Sequence, residues 1–272
     1  MAGSLAALLF GGIMPTLRLS KSKIGTFTLC PQKYQYTYID KIIPEKTPKA
    51  MLEGSALHHV IENTIVYGDK IAEISRVASD EFWKDIELTG TEYESPEAMK
   101  KAQDSVLKEA ETFLSQIDPL NPVDMETYFE YPLFNPETGE VHENILLRGY
   151  MDLIDCTDDG IYRVIDIKTS ARTPFDWQAD RSLELSTYAY LLASRFGWNS
   201  CVPVSYLYLV RTKNPKVVWL NSARSRKDFQ QTYSMLLSIS QAILQGNFYK
   251  NIGMHCSWCQ HQDICFHSKS IM

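Results

Sequence analysis

The stretch Val164-Ile165-Asp166-Ile167-Lys168-Thr169 is apolar and largely β-branched apart from one acid and one base, and it predicts the end of a buried strand. Because side chains alternate between the two faces of a strand, Asp166 and Lys168 should share one face and the two isoleucines the other. A carboxylate and an ammonium on a buried strand are costly unless a site uses them. On its own, Asp-x-Lys is more often an ordinary surface ion pair, so its meaning depends on its surroundings.

A second run, Leu147-Arg148-Gly149-Tyr150-Met151-Asp152-Leu153-Ile154-Asp155, predicts an adjacent strand. A short turn around Asp158-Asp159-Gly160 would join the two runs as a hairpin and bring Asp152 close to Asp166. Two carboxylates and a lysine suit phosphodiester hydrolysis, in which acids hold a divalent metal and a lysine orients water and stabilises negative charge. The hairpin is therefore a candidate hydrolytic site.

The runs RGYMDLID and VIDIKT together resemble the core of PD-(D/E)xK nucleases, in the RecB-like branch. The form of the first motif that contains proline followed by aspartate is absent, as that branch tolerates. The resemblance implies an α/β fold of the restriction-endonuclease-like type, with a mixed central sheet flanked by helices and an N-terminal helical subdomain. It also implies Mg²⁺- or Mn²⁺-dependent cleavage of DNA, exonucleolytic on single strands.

A glycine-led helix, Glu53-Gly54-Ser55-Ala56-Leu57-His58-His59, supplies a further candidate ligand. A helical histidine is more often a polar surface residue, but RecB-like nucleases have a metal-site histidine four residues after a glycine, and Gly54 and His58 have that spacing. His59 lies about 100° further round the helix and is expected to face elsewhere. The metal site implied by the resemblance consists of His58, Asp152, Asp166 and the backbone carbonyl of Ile167.

The predicted helix at 183–196 carries Glu184 and Tyr188, which have i, i+4 spacing and share a face. RecB-like nucleases have a glutamine and a tyrosine at this spacing, so the tyrosine matches and Glu184 is a departure. Glu184 would be either a further metal ligand, because hard cations prefer carboxylate oxygen, or a protonated mimic of glutamine with a raised pKa. The implied catalytic residues are Asp152, Asp166, Lys168, Glu184 and Tyr188.

The chain has six cysteines and no credible secretory signal, which indicates a reducing compartment where cysteines are more often ligands than disulfides. Cys256, Cys259 and Cys265 form a C-x2-C-x5-C triplet that packing does not explain. A structural zinc site normally has two short ligand pairs, and here a fourth ligand has to come from elsewhere. Zinc could be bound by the triplet with His261 or Cys30.

Cys30 lies in SKSKIGTFTLCPQKYQYTYI, which resembles the opening of RecB-type nuclease domains that contain an iron–sulfur cluster. The resemblance implies a [4Fe–4S] cluster bound by Cys30, Cys256, Cys259 and Cys265. Such a cluster would join the two ends of the chain across the nuclease core. The remaining cysteines, Cys156 and Cys201, fall in predicted strands and are expected to be inert core thiols.

The net charge of −6 argues against unspecific coating of nucleic acid, although the acids of a metal site lower the total and a local basic groove is compatible with it. With 44% hydrophobic and 22% charged residues, the composition predicts a globular, soluble protein. Arginine and tryptophan in the loop after the core strand suit phosphate and base-stacking contacts. The predicted DNA-binding residues are Lys21, Lys23, Arg172, Trp177, Arg181 and Tyr188.

The apolar segment at residues 1–16 is too short to span a bilayer and lacks the basic region and cleavage site of a signal peptide. It is predicted to be a poorly ordered leader, and the protein is expected to be cytoplasmic and unattached to membranes. Residues 17–272 are predicted to form a single RecB-like nuclease domain. Its predicted parts are mainly helical at 17–120, a catalytic sheet core at 121–222, and a helix with the cysteine-rich tail at 223–272.

The resemblance covers about residues 17–267 and extends to the AddB nuclease domain and to the CRISPR-associated Cas-four exonucleases. It implies single-stranded DNA as substrate, a role in antiviral defense, and protein partners in a CRISPR adaptation or recombination complex. No helicase phosphate loop of the form G-x-x-x-x-G-K-[ST] is present. The alternative is a catalytically weak nucleic-acid-binding or assembly subunit for CRISPR adaptation or phage recombination, with the cluster as scaffold.

Overall fold

A computed structural model of the chain describes residues 16–42, 46–65, 71–117, 120, 122–156, 159–198 and 201–266. Nearly all of the predicted leader lies outside these residues, as does Asp158 in the predicted hairpin turn. The strands are β1 (Leu17–Leu19), β2 (Pro122–Phe134), β3 (Val141–Cys156), β4 (Tyr162–Ser170), β5 (Cys201–Val210) and β6 (Lys216–Ser225). The α-helices are α1 (Lys21–Leu29), α2 (Pro31–Tyr34), α3 (Lys49–Thr64), α4 (Ile71–Trp83), α5 (Pro96–Leu114), α6 (Leu183–Phe196), α7 (Arg226–Leu244) and α8 (Gln262–Phe266).

These strands form one mixed sheet in the order β1-β3-β4-β5-β6, with β2 paired to β3 outside this path. Strand β2 runs antiparallel to β3 along most of its length. The other edge of β3 is shared by β1, parallel at Ile145–Leu147, and β4, antiparallel at Leu153–Cys156. Strand β4 is parallel to β5, with α6 in the connection, and β5 is antiparallel to β6. The predicted α/β fold with a mixed central sheet is confirmed.

The sheet opens between the parts of β3 that pair with β1 and with β4. Asp152 directly precedes Leu153, the first residue of β3 paired to β4, and Asp166 directly follows its partner Ile165. Because β1 ends at Leu19 and α1 begins two residues later, the start of α1 lies at the same opening. The predicted hairpin therefore presents both acids where β1 and β4 separate.

Helices cover both faces of the sheet. Helices α1, α2, α6 and α7 share a core with one face, which includes Phe27, Val164 and Phe229. Helices α3, α4 and α5 share a core with the opposite face, which includes Ile165 and Ile167. The predicted alternation of the core strand is confirmed, since both isoleucines lie on the α3 side while Asp166 contacts α1 on the other. Burial of each isoleucine side chain stabilises the folded state by roughly 1.5–3 kcal/mol.

Local sequence sets the ends of the helices that carry candidate site residues. The hydroxyl of Ser20 accepts a hydrogen bond from the amide of Lys23 at 3.4 Å and caps α1. The hydroxyl of Ser182 caps α6 by accepting from the amide of Leu185 at 3.0 Å. Gly246, with φ 70°, follows the end of α7 in the left-handed conformation that glycine favours. None of the described helices is long and apolar enough to cross a membrane.

Candidate active site

The two predicted carboxylates lie at the opening of the sheet. Asp166 is completely buried, and Asp152 is 5% exposed. Where the pairing of β3 with β4 ends, the carboxylate of Asp152 accepts a hydrogen bond from the amide of Ile167 at 2.8 Å. This bond takes the place of a strand-to-strand bond and fixes Asp152 against β4. The hairpin therefore positions both acids through its backbone.

Two lysines and two carboxylates form a closed ring of ion pairs beside Asp152. Lys168 Nζ lies 2.6 Å from Asp166 Oδ2 and 2.9 Å from Glu184 Oε2. Lys21 Nζ closes the ring, 3.0 Å from Asp166 Oδ1 and 3.3 Å from Glu184 Oε1. Each carboxylate oxygen of this ion-pair ring thus faces one ammonium. Lys21 also lies 3.9 Å from Asp152 Oδ1, so it links the ring to the second acid.

The protonation of the ion-pair ring follows from burial and from these neighbours. Burial and the nearby Asp152 raise the pKa of Asp166 to about 6 against the effect of the two lysines. Burial would also raise the pKa of Glu184, but the lysines outweigh it and hold that pKa below its ordinary value. Burial lowers the pKa of Lys168, but Asp166 and Glu184 raise it more. Glu184 is thus ionised at neutral pH, which does not fit a protonated mimic of glutamine.

Helix α3 brings His58 to the other side of the two acids. Gly54 allows a close approach to β4, because a side-chain carbon there would meet Thr169 Oγ1 at 3.4 Å. One helical turn later, His58 Nε2 lies 2.5 Å from the carbonyl oxygen of Ile167 and 3.5 Å from Asp152 Oδ2. The spacing of glycine and histidine in the sequence therefore corresponds to a real contact between α3 and the end of β4.

Glu62 belongs to this site although the sequence analysis did not single it out. It is 6% exposed, and its Oε1 lies 2.5 Å from His58 Nδ1. Burial lowers the pKa of His58, but Glu62 and Asp152 raise it more, to about 9. One ligand atom from each of these three residues lies within 4.8 Å of the others, and the described part of the chain has no other such group. The sequence feature that could have indicated Glu62 is its i, i+4 spacing from His58, which places both residues on one face of a helix.

The donor atoms suit a divalent cation such as Mg²⁺ or Mn²⁺. Carboxylate and carbonyl oxygens are the ligands that hard cations prefer, and an imidazole favours a transition metal such as Mn²⁺. Of the four predicted ligands, His58, Asp152 and the carbonyl of Ile167 lie within reach of one another. Asp166 is adjacent, but both of its oxygens face lysines.

An exposed aromatic stack stands on the loop that joins β4 to α6. The rings of Phe175 and Trp177 are 5.8 Å apart between centroids with planes 9° apart, and the Arg181 guanidinium lies 5.2 Å from the Trp177 centroid. Phe175 is 67% exposed and Trp177 50%. Arg224 anchors the end of the loop by donating hydrogen bonds to two of its carbonyl oxygens. Phe175 was not among the predicted DNA-binding residues. The sequence feature that could have indicated it is its position two residues before Trp177.

The other predicted DNA-binding residues differ in their surroundings. Arg172 is exposed on the same loop. Lys23 Nζ donates to the carbonyl oxygen of Arg18 at 2.9 Å rather than to an acid of the site. Tyr188 is completely buried, and its ring centroid lies 5.0 Å from Lys21 Nζ. Because Tyr188 packs beneath Lys21, this arrangement leaves it no surface for the predicted contact with a DNA strand.

The four predicted cluster ligands line one pocket where the two ends of the described chain meet. Cys30 separates α1 from α2, and the triplet lies on a short 3₁₀ helix, on the residue after it, and on α8. The amide of Gln32 donates to the carbonyl oxygen of Tyr249 at 3.0 Å, and Asn251 Nδ2 donates to that of Leu29 at 2.8 Å. Hydrogen bonds between distant segments thus hold the pocket together.

The other residues to place are His261, a candidate zinc ligand, and the two predicted core thiols, Cys156 and Cys201. His261 is 3% exposed, and its Nε2 lies 2.8 Å from the hydroxyl of Thr37. Cys156 is half-buried and Cys201 is exposed. The expectation of a core thiol at Cys201 is wrong, because Cys201 is the first residue of β5 and the pairing of β5 with β4 starts only at Val204.

Residues 18–266 match the sequence model of the PD-(D/E)XK nuclease superfamily. The chain belongs to this superfamily, in which the carboxylates and the lysine of the β3–β4 hairpin are the expected motif. No curated protein matches the chain significantly.

Two solved structures are similar to it. A crystal structure named "Putative exonuclease", from Eubacterium rectale, is 14% identical with a TM-score of 0.55, covering 94% of this chain and 89% of that one. A structure named SSO0001 is 13% identical with a TM-score of 0.41, again covering 94% of this chain and 89% of that one. At these identities the first likeness supports the fold alone, and the second supports no argument.

Proposed function

We propose that this protein is a metal-dependent DNA nuclease that degrades single-stranded DNA from an end. The proposal rests on the convergence of Asp152, Asp166 and Lys168 with His58 at one opening of the sheet. Buried ion pairs are weak evidence for stability, because desolvation offsets most of their attraction. These charged groups suit hydrolysis of a phosphodiester. In that reaction water bonds to phosphorus, a P–O ester bond breaks, and the negative charge that develops on the phosphoryl oxygens needs a positive partner.

In this mechanism Asp152, His58 and the carbonyl of Ile167 would hold the divalent ion, and Glu62 orients His58 through Nδ1. When bound, the ion supplies Lewis acidity toward a phosphate oxygen and increases the acidity of water. Lys168 stays protonated and donates a hydrogen bond to the attacking water or to a phosphoryl oxygen. Glu184 holds Lys168 in place from the opposite side of the ion-pair ring.

The stack of Phe175, Trp177 and Arg181 supports a single strand as substrate. Unpaired bases stack on aromatic rings with roughly 1–3 kcal/mol per base, and any base can do so. Bases in a duplex are already stacked on one another and are less available. The loop that carries the stack begins at β4 and ends at α6, the two elements that supply three of the four residues of the ion-pair ring. A strand held there is therefore close to the acids.

We also propose that Cys30 and the C-terminal triplet bind a [4Fe–4S] cluster. A [4Fe–4S] cluster takes four cysteine thiolates as its protein ligands. Cys30, Cys256, Cys259 and Cys265 line one pocket, so four thiols are available there.

The nuclease proposal is tested on single-stranded and double-stranded DNA of one sequence, labelled at either end, with Mn²⁺ or with EDTA. We expect Mn²⁺-dependent shortening that is faster on the single strand. Lys168→Ala should lower the rate by about 100- to 1,000-fold, the usual effect of removing one group that stabilises developing charge. Lys216→Ala, at an exposed lysine that begins β6, is the matched control and should keep the wild-type rate.

Substrate choice is tested by the affinity of Trp177→Ala for both forms of DNA. We expect binding of the single strand to weaken about 10-fold and binding of the duplex to change little. Equal weakening of both would contradict the proposed stacking role.

A second candidate function is a nucleic-acid-binding or assembly subunit that does not cleave. It is favoured by the closed ion-pair ring, in which Lys168 is already paired with both Asp166 and Glu184. DNA binding without cleavage in Mn²⁺ would support this alternative. A wild-type cleavage rate in Lys168→Ala would overturn the assignment of the site.

A further inference from the structure

We infer that Lys21 is a built-in second cation of the active site, occupying the place between Asp166 and Glu184 where a two-metal enzyme would bind its second divalent ion. The inference rests on the proposed nuclease function and specifies how many metal ions the site uses. It also assigns Lys21 a role different from the DNA contact predicted from the sequence.

The contacts of Lys21 are those of a cation among ligands. Its Nζ lies 3.0 Å from Asp166, 3.3 Å from Glu184 and 3.9 Å from Asp152. The ring of Tyr188 closes another side at 5.0 Å from Nζ to its centroid. The side chain is 30% exposed, so most of it is withdrawn from water.

The acids of the site divide into two groups around this ammonium. The candidate metal group consists of His58 and Asp152, with Glu62 holding His58 in place, and Asp166 is not a member. Asp166 instead presents one oxygen to each lysine of the ion-pair ring. Two-metal phosphodiester hydrolases use their second ion to stabilise the attacking or leaving oxygen. An ammonium in that place supplies positive charge without a metal.

Charge counting gives the expected result of removing Lys21. In the ion-pair ring, two lysines neutralise Asp166 and Glu184, and Asp152 adds a third carboxylate next to Lys21. Without Lys21, the carboxylates of Asp152, Asp166 and Glu184 would surround the space that its ammonium now fills, and no cation would be there. Converging carboxylate oxygens are what a divalent ion binds. Loss of Lys21 should therefore create a second metal site.

Lys21 also lines a groove that could admit a substrate strand. This groove lies between α1 and α6 and is lined as well by Ser182, Glu184 and Tyr206. The metal group opens into a separate groove lined by His58, Glu62 and Lys168. The acids lie between the two grooves, so an ammonium at Lys21 faces a strand on the side opposite to the metal.

The test counts Mn²⁺ ions per chain without nucleic acid, by equilibrium dialysis with electron paramagnetic resonance. We expect one ion in wild type and two in Lys21→Met. Lys21→Arg keeps the positive charge and should retain one. Lys23→Met is the control for ion counting, because Lys23 lies on the same helix but donates to a backbone carbonyl. Lys21→Gln provides a second neutral variant, which retains hydrogen-bond donors, in case Lys21→Met does not fold.

Cleavage by the folded neutral variant supplies an independent readout. At an Mn²⁺ concentration that saturates wild type, its rate should fall about 100-fold, because one stabilising charge is missing. Its rate should then rise again as more Mn²⁺ fills the second site, while the wild-type rate stays constant. A purely structural role for Lys21 would not produce this dependence on metal.

The outcomes separate this inference from the proposed function. The inference about Lys21 is overturned if wild type binds two ions or if the folded neutral variant binds only one. In either case, cleavage of DNA by wild type would still support the proposed nuclease function. If wild type binds no Mn²⁺ and cleaves no DNA, the proposed function fails.

Discussion

The active site and the cysteine pocket lie at the two ends of α1 and are built in opposite ways. Lys21 begins this helix of nine residues and Cys30 follows it, so about 13.5 Å of helical rise separates the two regions. The acids of the active site are buried and are fixed by strand backbone. The cysteine triplet lies on short helical segments beside exposed residues such as Trp258, which is 68% exposed.

The difference concerns what holds each region in shape. Strand pairing and two hydrophobic cores position the active site before any ligand binds, so substitutions there should change chemistry more than folding. The cysteine pocket has little core of its own. Its shape should depend on the bound group, because ligation then contributes to the folding free energy of the chain ends.

The largest expected effect tests this separation at Asp166. Asp166→Asn removes a negative charge from between two lysines and beside the metal group, and cleavage should fall about 1,000-fold. Iron content and the absorbance of the cluster should not change. Asp159→Asn, at an exposed acid in the turn of the same hairpin, is the control. Concurrent loss of iron would show that the two regions are not independent.

The next effect is expected at the other end of α1. Cys30→Ser should abolish iron binding and lower the Tm by at least about 5 °C, which corresponds to roughly 2 kcal/mol in a domain of this size. Cleavage by the folded variant should stay close to the wild-type rate, because strand pairing fixes the acids without the cluster. Iron analysis after anaerobic purification and thermal melting are the measurements, with Cys201→Ser as an exposed control. Stoichiometric zinc without iron in wild type would refute the cluster.

The smallest effect compares two helical glycines. Gly54→Ala places a methyl group 3.4 Å from Thr169 Oγ1 and should shift α3 by a few tenths of an ångström. We expect the cleavage rate at saturating Mn²⁺ to fall about threefold, since a 1 Å misplacement of catalytic groups costs about 100-fold in rate. Gly25→Ala meets nothing within 4 Å and should leave the cleavage rate unchanged while stabilising α1 by about 0.5–1 kcal/mol. Equal cleavage rates in the two variants would remove the proposed reason for Gly54.

The core hairpin and part of the candidate site could be predicted because they follow from local periodicity, whereas the fold type was implied by the family resemblance. Alternation in β4 placed Asp166 and Lys168 on one face, and the hairpin brought Asp152 next to them. The spacing of Gly54 and His58 likewise depends on one helical turn. Phe175 and Glu62 obey the same periodicities, but nothing local distinguishes a stacked or ligating side chain from an ordinary one.

The sequence by itself thus determined the buried core strand and the residues that share a face of one element, because backbone geometry repeats with a fixed period. The mixed sheet was implied by the resemblance to RecB-like nucleases and not by periodicity. Only the tertiary structure decided the position of Lys21. Its bond to Asp166 joins residues 145 positions apart and depends on the pairing of β1 with β3. The burial of Tyr188 beneath it has the same origin. Charge, burial and contact between distant elements are properties of the packed molecule, and no local pattern encodes them.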